Sequence, residues 1–196
     1  MRSDPTPIPA LRLVPSQTPA GGLDDVYRRY CRYVAAVALR LDGRQSEVDD
    51  LVQEVFVEAA RGIHGLRDPA AVKGWLATIT VRVVRQQLRR RRVRRLFGLD
   101  ASIDYADLVD GAASPLDRVL VRTVYRILDE LAVEDRIAFT LHHMEGEKLE
   151  DVARLCGCSC STAKRRIARA QQALEDRMQE RKPERKPERK DRRSDV

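Results

Sequence analysis

The sequence predicts an all-α chain: two small helical domains joined by a flexible linker. Three observations carry this. Apolar residues recur every three or four positions through 23–41, 48–63 and 75–88, and again through 120–174, the spacing of helices that bury one face. Between these blocks, residues 100–118 hold five aspartates and one arginine without a sustained period. So long a structureless connection is uncommon inside one compact domain. At both ends the pattern fades, into five prolines within residues 1–22 and an ERKP repeat at 180–187. The expected plan is a disordered leader (1–22), a first domain (23–95), an acidic linker (96–117), a second domain (118–176) and a disordered charged tail (177–196).

Charge narrows the function classes. The 196 residues carry 37 Lys and Arg against 30 Asp and Glu, a formal net charge of +7. Such a surface favours anionic partners, either nucleic acid or an acidic membrane. No run approaches the length of a membrane span, and the proline-rich start lacks the apolar core of a signal peptide, so a soluble cytoplasmic protein without membrane insertion is expected. The cysteines are Cys31, Cys156, Cys158 and Cys160; three crowd into one pentapeptide, which is no disulfide framework.

In the first helix Leu23, Val26, Tyr27, Tyr30, Val34, Val37, Ala38 and Leu41 share a face, and Asp42-Gly43 supplies a stop. The second is the best formed. Ser46 is placed to cap it, with Asp49 three residues on, and Val48, Leu51, Val52, Val55, Phe56, Ala59 and Ile63 mark a wide apolar face. On another side Asp50, Glu54 and Glu58 stack at i, i+4, i+8, where like charges repel by a few tenths of a kcal/mol. An acidic stripe on a basic protein suggests a separate protein partner; a merely soluble face is the plain alternative. Arg61 to Gly74, with Gly62, Gly65 and Pro69, reads as a loop or broken turn.

Next comes the stretch that gives the first domain its charge. Trp75, Leu76, Ile79, Val83, Val84 and Leu88 gather on one side, while Arg82, Arg85, Arg89 and Arg92 form a guanidinium stripe away from it. Residues 61–99 hold 11 Lys and Arg against one acid, Asp68. One side can seat in a core while the other meets a duplex backbone, which carries a charge roughly every 1.7 Å of axis. Two other readings stand beside this one: a strand, since residues 78–84 are mostly β-branched, and a solvated or disordered basic arm.

In the second half, Leu120, Val124, Ile127, Leu128 and Leu131 make one helix, and Ile137, Ala138, Leu141 and Met144 another, ended by Glu145-Gly146. Leu149, Val152, Ala153 and Cys156 then form a short apolar face; Gly157 allows a tight turn; Ala163, Ile167, Ala170 and Leu174 form the next. A short helix, a glycine turn and a second helix bearing Ser159, Ser161, Thr162, Lys164, Arg165, Arg166 and Arg169 make a helix-turn-helix pattern. Hydroxyls and amides at that helix start suit phosphates, while Lys and Arg reach base edges in the major groove.

Taken together, these blocks resemble the bacterial RNA polymerase sigma factors of the extracytoplasmic-function class of the sigma-70 family, which keep only sigma regions 2 and 4. The match covers about residues 23–95 and 116–176. Its sharpest marks are Asp50-Leu51-Val52-Gln53-Glu54-Val55-Phe56, then Trp75-Leu76 with Ile79 leading into the arginine run, then Leu131, Arg136, Glu145-Gly146, Val152-Ala153, Gly157, Ser159, Thr162, Lys164, Arg166, Arg169-Ala170 and Leu174. The resemblance implies that Asp49, Asp50, Leu51, Gln53, Glu54 and Phe56 dock on the β′ clamp helices of core RNA polymerase. It implies that Arg67, Lys73, Trp75, Thr78, Arg82, Arg85 and Arg89 hold the opened minus-ten promoter element, trapping an unstacked base. It further implies that the second domain sits on the β flap, with Ser159, Ser161, Thr162, Lys164, Arg165, Arg166 and Arg169 on minus-thirty-five DNA. The linker is expected to enter the polymerase channels, and an anti-sigma factor is a candidate partner. Nothing in this scheme makes or breaks covalent bonds, so no catalytic residue, metal or cofactor is expected.

The chain departs from the family pattern at several points. Arg82 stands where the family usually has Asn, which puts base preference in doubt. Ala132 replaces a usual Pro, and Lys148 a capping Ser, its charge unfavourable at a helix start. Ser161 and Ala163 replace Gly and Val on either side of Thr162. Cys158 and Cys160 stand where the family carries small apolar residues, which favours core packing over metal or thiol sensing; C-x-C-x-C also lacks the spacing of structural zinc sites. Two competitors remain: a helix-turn-helix regulator that does not bind core polymerase, and an enzyme acting on nucleic acid. The first leaves the acidic helix unexplained. The second should show clustered carboxylates or a nucleophile with partners, and neither is found.

Overall fold

The computed structural model describes residues 22–66, 68–98, 105 and 114–180. Among them there are seven α-helices and no strand: α1 (Gly22–Asp42), α2 (Val48–Gly62), α3 (Val72–Leu96), α4 (Pro115–Glu130), α5 (Val133–His143), α6 (Leu149–Cys156) and α7 (Cys160–Glu180). The all-α expectation holds. Two compact units divide within α3, Met1–Gln87 and Leu88–Val196. Residues 1–21 of the leader, most of the acidic linker and residues 181–196 of the tail lie outside the described residues, but α1 already begins at Gly22 and α7 continues past 176 to Glu180.

In the first unit, α1 contributes Val34, Val37 and Leu41, α2 contributes Leu51, Val55 and Phe56, and α3 contributes Leu76, Ile79 and Val84, all buried. Each such side chain stabilises the fold by about 1.5–3 kcal/mol through removal from water. Tyr27 meets the Phe56 ring edge-on, with centroids 4.8 Å apart. Gly43, at φ +80°, ends α1, and its N–H donates to the Leu39 carbonyl at 2.7 Å.

Three local expectations change. The strand reading of 78–84 fails, because burial overrides β-propensity: Val81 and Val84 are fully buried within unbroken α3, and Thr80 satisfies its hydroxyl by donating to the Leu76 carbonyl at 2.8 Å. Ser46 does not cap α2. A 3-10 turn over Gln45–Glu47 leads into the helix, whose N-cap is Glu47 with no side-chain cap bond. The supposed loop of 61–74 is also shorter than its glycines suggest. α2 runs through Gly62, 3-10 turns occupy Ile63–Gly65 and Pro69–Ala71, and Gly74 is already helical. There Asp68 caps the turn, accepting from the Ala70 N–H at 2.8 Å.

In the second unit α4 starts at Ser114, whose hydroxyl oxygen accepts the Asp117 N–H at 3.1 Å, with Pro115 in the first turn. Tyr125, Ile127 and Leu128 of α4 pack with Tyr105 and with Leu174 of α7. Beneath them lies a charged hub. Asp129 accepts from the buried Arg136, from the Tyr105 hydroxyl and, at 3.0 Å, from Arg95. The helix-turn-helix forms as expected from α6 and α7, with Gly157 at φ +64° closing α6 and the Cys158 N–H donating to the Ala153 carbonyl at 2.9 Å. Lys148 is the N-cap of α6 and makes no side-chain cap bond, while Glu150 and Asp151 in the first turn suit the helix dipole. Cys156 is buried and Cys158 half-buried, but Cys160 is exposed at the start of α7, so core packing does not account for it; all four cysteines are free thiols.

Candidate nucleic-acid and protein interfaces

The acidic face of α2 is narrower than its spacing suggests. Asp49, Asp50 and Gln53 are exposed and Glu54 is half-buried. Glu58, the third carboxylate of the stripe, is turned to other work: it accepts from Arg61 at 2.7 Å and from Arg82 of α3 at 2.6 Å. The repulsion expected along the stripe is therefore cancelled at its C-terminal end. Leu51 and Phe56, included in the expected docking set, are 3% and 7% exposed, so they pack in the core and do not belong to the exposed face. Sequence reasoning missed Val57, 51% exposed one position beyond Phe56, which adds an apolar element beside the carboxylates.

On the first half of α3, the Arg82–Glu58 pair borders an open pocket of ≈ 320 Å³ also lined by Gly62, Trp75, Thr78 and Ile79. Gly62 makes room for the tryptophan: a Cβ there would lie 3.1 Å from Trp75 Cζ2. Trp75 is half-buried and Thr78 exposed, with the Thr78 hydroxyl donating to the Gly74 carbonyl at 3.0 Å. Lys73 stands 4.8 Å over the Tyr33 ring, a cation–π contact that leaves the ammonium at the surface. Arg85 is half-buried. Arg67 lies outside the described residues.

Farther along, the expected guanidinium stripe is partly spent on the protein itself. Arg89 donates to Glu134 at 2.6 Å, Arg92 to the Leu131 carbonyl at 3.3 Å, and Arg95 to the Asp129 carbonyl at 3.1 Å. Arg91, also in this run, is 1% exposed. The arginine spacing predicts a face correctly but carries no sign of these partners, which lie 34 to 45 residues away.

Helix α7 divides its polar residues in the same manner. Ser159 caps the helix, accepting from the Thr162 N–H at 3.2 Å and donating to the Thr162 hydroxyl at 3.0 Å. Ser161, Lys164 and Arg165 are exposed. Arg166 is only 19% exposed and lies 3.6 Å from Glu134. Arg169 donates twice to Asp135, at 2.6 and 2.9 Å, and the bond and charge of that carboxylate raise the Arg169 pKa above its already high value. The exposed polar residues at the start of this helix are thus Ser159, Ser161, Lys164, Arg165 and Arg169, the last held by Asp135, while Arg166 is turned to Glu134 at the start of α5. No helix among the described residues is long and apolar enough to cross a membrane. No group of three or more His, Cys, Asp or Glu among them is arranged to hold a metal.

Comparison with known proteins follows the same division. Residues 26–94 match Sigma-70 region 2, and residues 122–174 match Sigma-70, region 4. The ECF RNA polymerase sigma factor SigM of Mycobacterium tuberculosis is 34% identical over 152 residues, 77% of this chain and 74% of that protein. SigE of Mycolicibacterium smegmatis, also named an ECF RNA polymerase sigma factor, is 30% identical over 155 residues, 78% of this chain. The chain spans only 60% of the length of SigE and 37% of RfaY of Xanthomonas campestris, a probable RNA polymerase sigma factor. Among solved structures, the fold is similar to that of RpoE of Bartonella quintana, crystallised with the anti-sigma factor NepR, at a TM-score of 0.61 and 23% identity over 81% of this chain and 98% of that one. CnrH, solved with the cytosolic domain of CnrY, gives 0.58 at 22% identity over 83% of this chain and 93% of that one. With both halves matched in order and a relative at 34% identity over most of its length, this chain belongs to the ECF sigma factors of the sigma-70 family.

Proposed function

We propose that this protein binds core RNA polymerase and directs it to promoter DNA, opening the minus-ten element with its first unit and reading the minus-thirty-five element with α7. The observation that carries this reading is the segregation of charge within one family-matched chain. An exposed carboxylate face lies on α2 (Asp49, Asp50, with Gln53), while exposed basic residues lie on α3 and, in the second unit, on α7. Carboxylates on a +7 chain repel DNA and suit a basic protein surface. The half-buried Trp75 and the pocket beside it suit an unpaired base, since bases outside a duplex are recognised by stacking and by their freed edges. The exposed α7 residues suit a major groove.

On this reading the protein works in the cytoplasm, without covalent chemistry, and promoter opening is driven by tighter binding to the melted state. An anti-sigma factor is a further partner, competing for the same surfaces; of the two similar folds, RpoE was solved with the anti-sigma factor NepR and CnrH with the cytosolic domain of CnrY. The test is to mix the full chain with core polymerase and follow comigration and promoter-dependent transcripts. Asp50→Lys with Glu54→Lys should weaken polymerase binding at least about tenfold while leaving the helical circular dichroism unchanged. A chain that binds promoter DNA but neither comigrates nor initiates is a regulator of another kind, and the reading fails.

A further inference from the structure

The pocket between α2 and α3 has a polar border that its apolar lining does not require. Glu58 is 32% exposed and Arg82 59% exposed, and the bond between Arg82 Nη2 and Glu58 Oε2 is 2.6 Å. Glu58 is held from its other oxygen by Arg61 Nη1 at 2.7 Å. The carboxylate is therefore held from two sides, by Arg61 and by Arg82, and the Arg82 guanidinium lies next to it at the border of the pocket. A guanidinium next to a carboxylate presents, in sequence, two donors and then two acceptors.

We propose that the Glu58–Arg82 pair makes this pocket selective for guanine, with Arg82 as the reading residue and Glu58 as both acceptor and positioning residue. This rests on the reading that the first unit holds the opened minus-ten strand. Guanine alone among the four bases carries the complementary run around its edge: N7 and O6 accept, then N1–H and N2–H donate. Cytosine offers two acceptors but a single donor group after them. Adenine and thymine alternate acceptor and donor, so neither can take both arms of an arginine fork on adjacent atoms. The volume of ≈ 320 Å³ falls at the low end of the roughly 300–1,000 Å³ typical of ligand clefts, ample for one flat base. Trp75 lines that volume as an aromatic surface for stacking.

The test uses core polymerase assembled with the full chain and single-stranded DNA carrying the non-template sequence, randomised across the minus-ten segment. Selection should enrich guanine at one position by about tenfold or more over adenine or thymine. At that position 7-deazaguanine, which lacks the N7 acceptor, should weaken binding to the wild type but not further weaken Arg82→Ala. Inosine, which lacks the N2 amino group, should weaken binding to the wild type but leave Glu58→Gln indifferent. A purely structural role for either residue would lower binding of all bases alike and would not produce that pairing of variant with analogue. Enrichment of another base, or a guanine preference untouched by both variants, overturns the guanine assignment while the minus-ten reading stands. If the assembled complex holds none of the single strands, the minus-ten reading itself is overturned and the base assignment goes with it.

Discussion

Helices α3 and α7 both present arginines, and both assign some of them a carboxylate; what differs is where the carboxylate lies. On α7 the partner is Asp135, 7% exposed, gripping Arg169 through two bonds. On α3 it is Glu58, a third exposed, at the edge of an open pocket. A buried carboxylate cannot release its partner without leaving a charge unpaired in a poor solvent. An exposed pair is worth only about 0–1 kcal/mol, so either member can add a ligand contact at little cost. The same two residue types therefore make an internal fastener at Asp135–Arg169, as at Asp129–Arg95 on α3, and on the proposal above an aimed recognition group at Glu58–Arg82.

The sharpest way to test the fastening side is at its most buried example. Asp129 holds Arg136, whose side chain is 2% exposed, together with Tyr105 and Arg95. Asp129→Ala strands that guanidinium and should destabilise the second unit by about 3–5 kcal/mol, read as a fall in the urea midpoint. Burial on its own pushes the Asp129 carboxyl up, but Arg136, the Tyr105 hydrogen bond and Arg95 together outweigh it, so its pKa ends below the ordinary 3.8. A depressed carboxylate pKa contributes stability that is complete above the unfolded value and is lost as pH falls through the folded one. Wild-type protein should thus lose urea resistance below about pH 4 more steeply than Asp129→Asn, whose side chain does not titrate. Parallel acid profiles for the two proteins would remove Asp129 from the account.

A smaller effect separates fastener from reader within α7. Arg169→Ala leaves Asp135 buried without its two donors and should lower the unfolding midpoint, with promoter affinity falling in proportion on specific and scrambled DNA alike. Arg165→Ala should leave the midpoint unchanged. It should cost ~1–3 kcal/mol of binding on the specific sequence wherever that arginine makes a bidentate base contact. Thermal melts and fluorescence anisotropy on matched duplexes distinguish the two. An Arg169 variant that is fully stable yet blind to sequence would return that residue to the reading face.

The sequence shows which faces are apolar far better than which charges are free. The periods of α1, α2 and α7 are legible because burial repeats every turn, and Val34, Val55, Ala163 and Ala170 all lie fully buried where the period puts them. Gly157 is legible because a helix stop at φ +64° needs a residue without a Cβ. The partners of the arginines are not legible. Glu58 meets Arg82 across 24 residues and Asp135 meets Arg169 across 34, and polar residues off an apolar face leave no periodic trace of whom they touch. Ser46 misleads for a related reason: its chemistry suits a cap, but a 3-10 turn carries the chain past it before α2 begins.

The smallest predicted effect on the fold bears on the recognition side of the comparison. Gly62 closes α2 with φ −108°, a conformation open to any residue, so an added Cβ is not opposed by the backbone. In a helix Gly→Ala gains up to about 1 kcal/mol. Here the new methyl would sit 3.1 Å from Trp75 Cζ2, and the indole must move by a few tenths of an ångström. That strain offsets much of the gain, so Gly62→Ala should change stability by less than about 0.5 kcal/mol in either direction. Its effect on DNA should be larger than its effect on folding, because Gly62 and Trp75 both line the pocket beside Arg82. Binding of single-stranded minus-ten DNA by the assembled polymerase complex should weaken severalfold, while binding of duplex minus-thirty-five DNA stays unchanged. Equal binding of both DNAs by Gly62→Ala and wild type would mean that the tryptophan is packing alone, and that recognition on α3 rests on its charges.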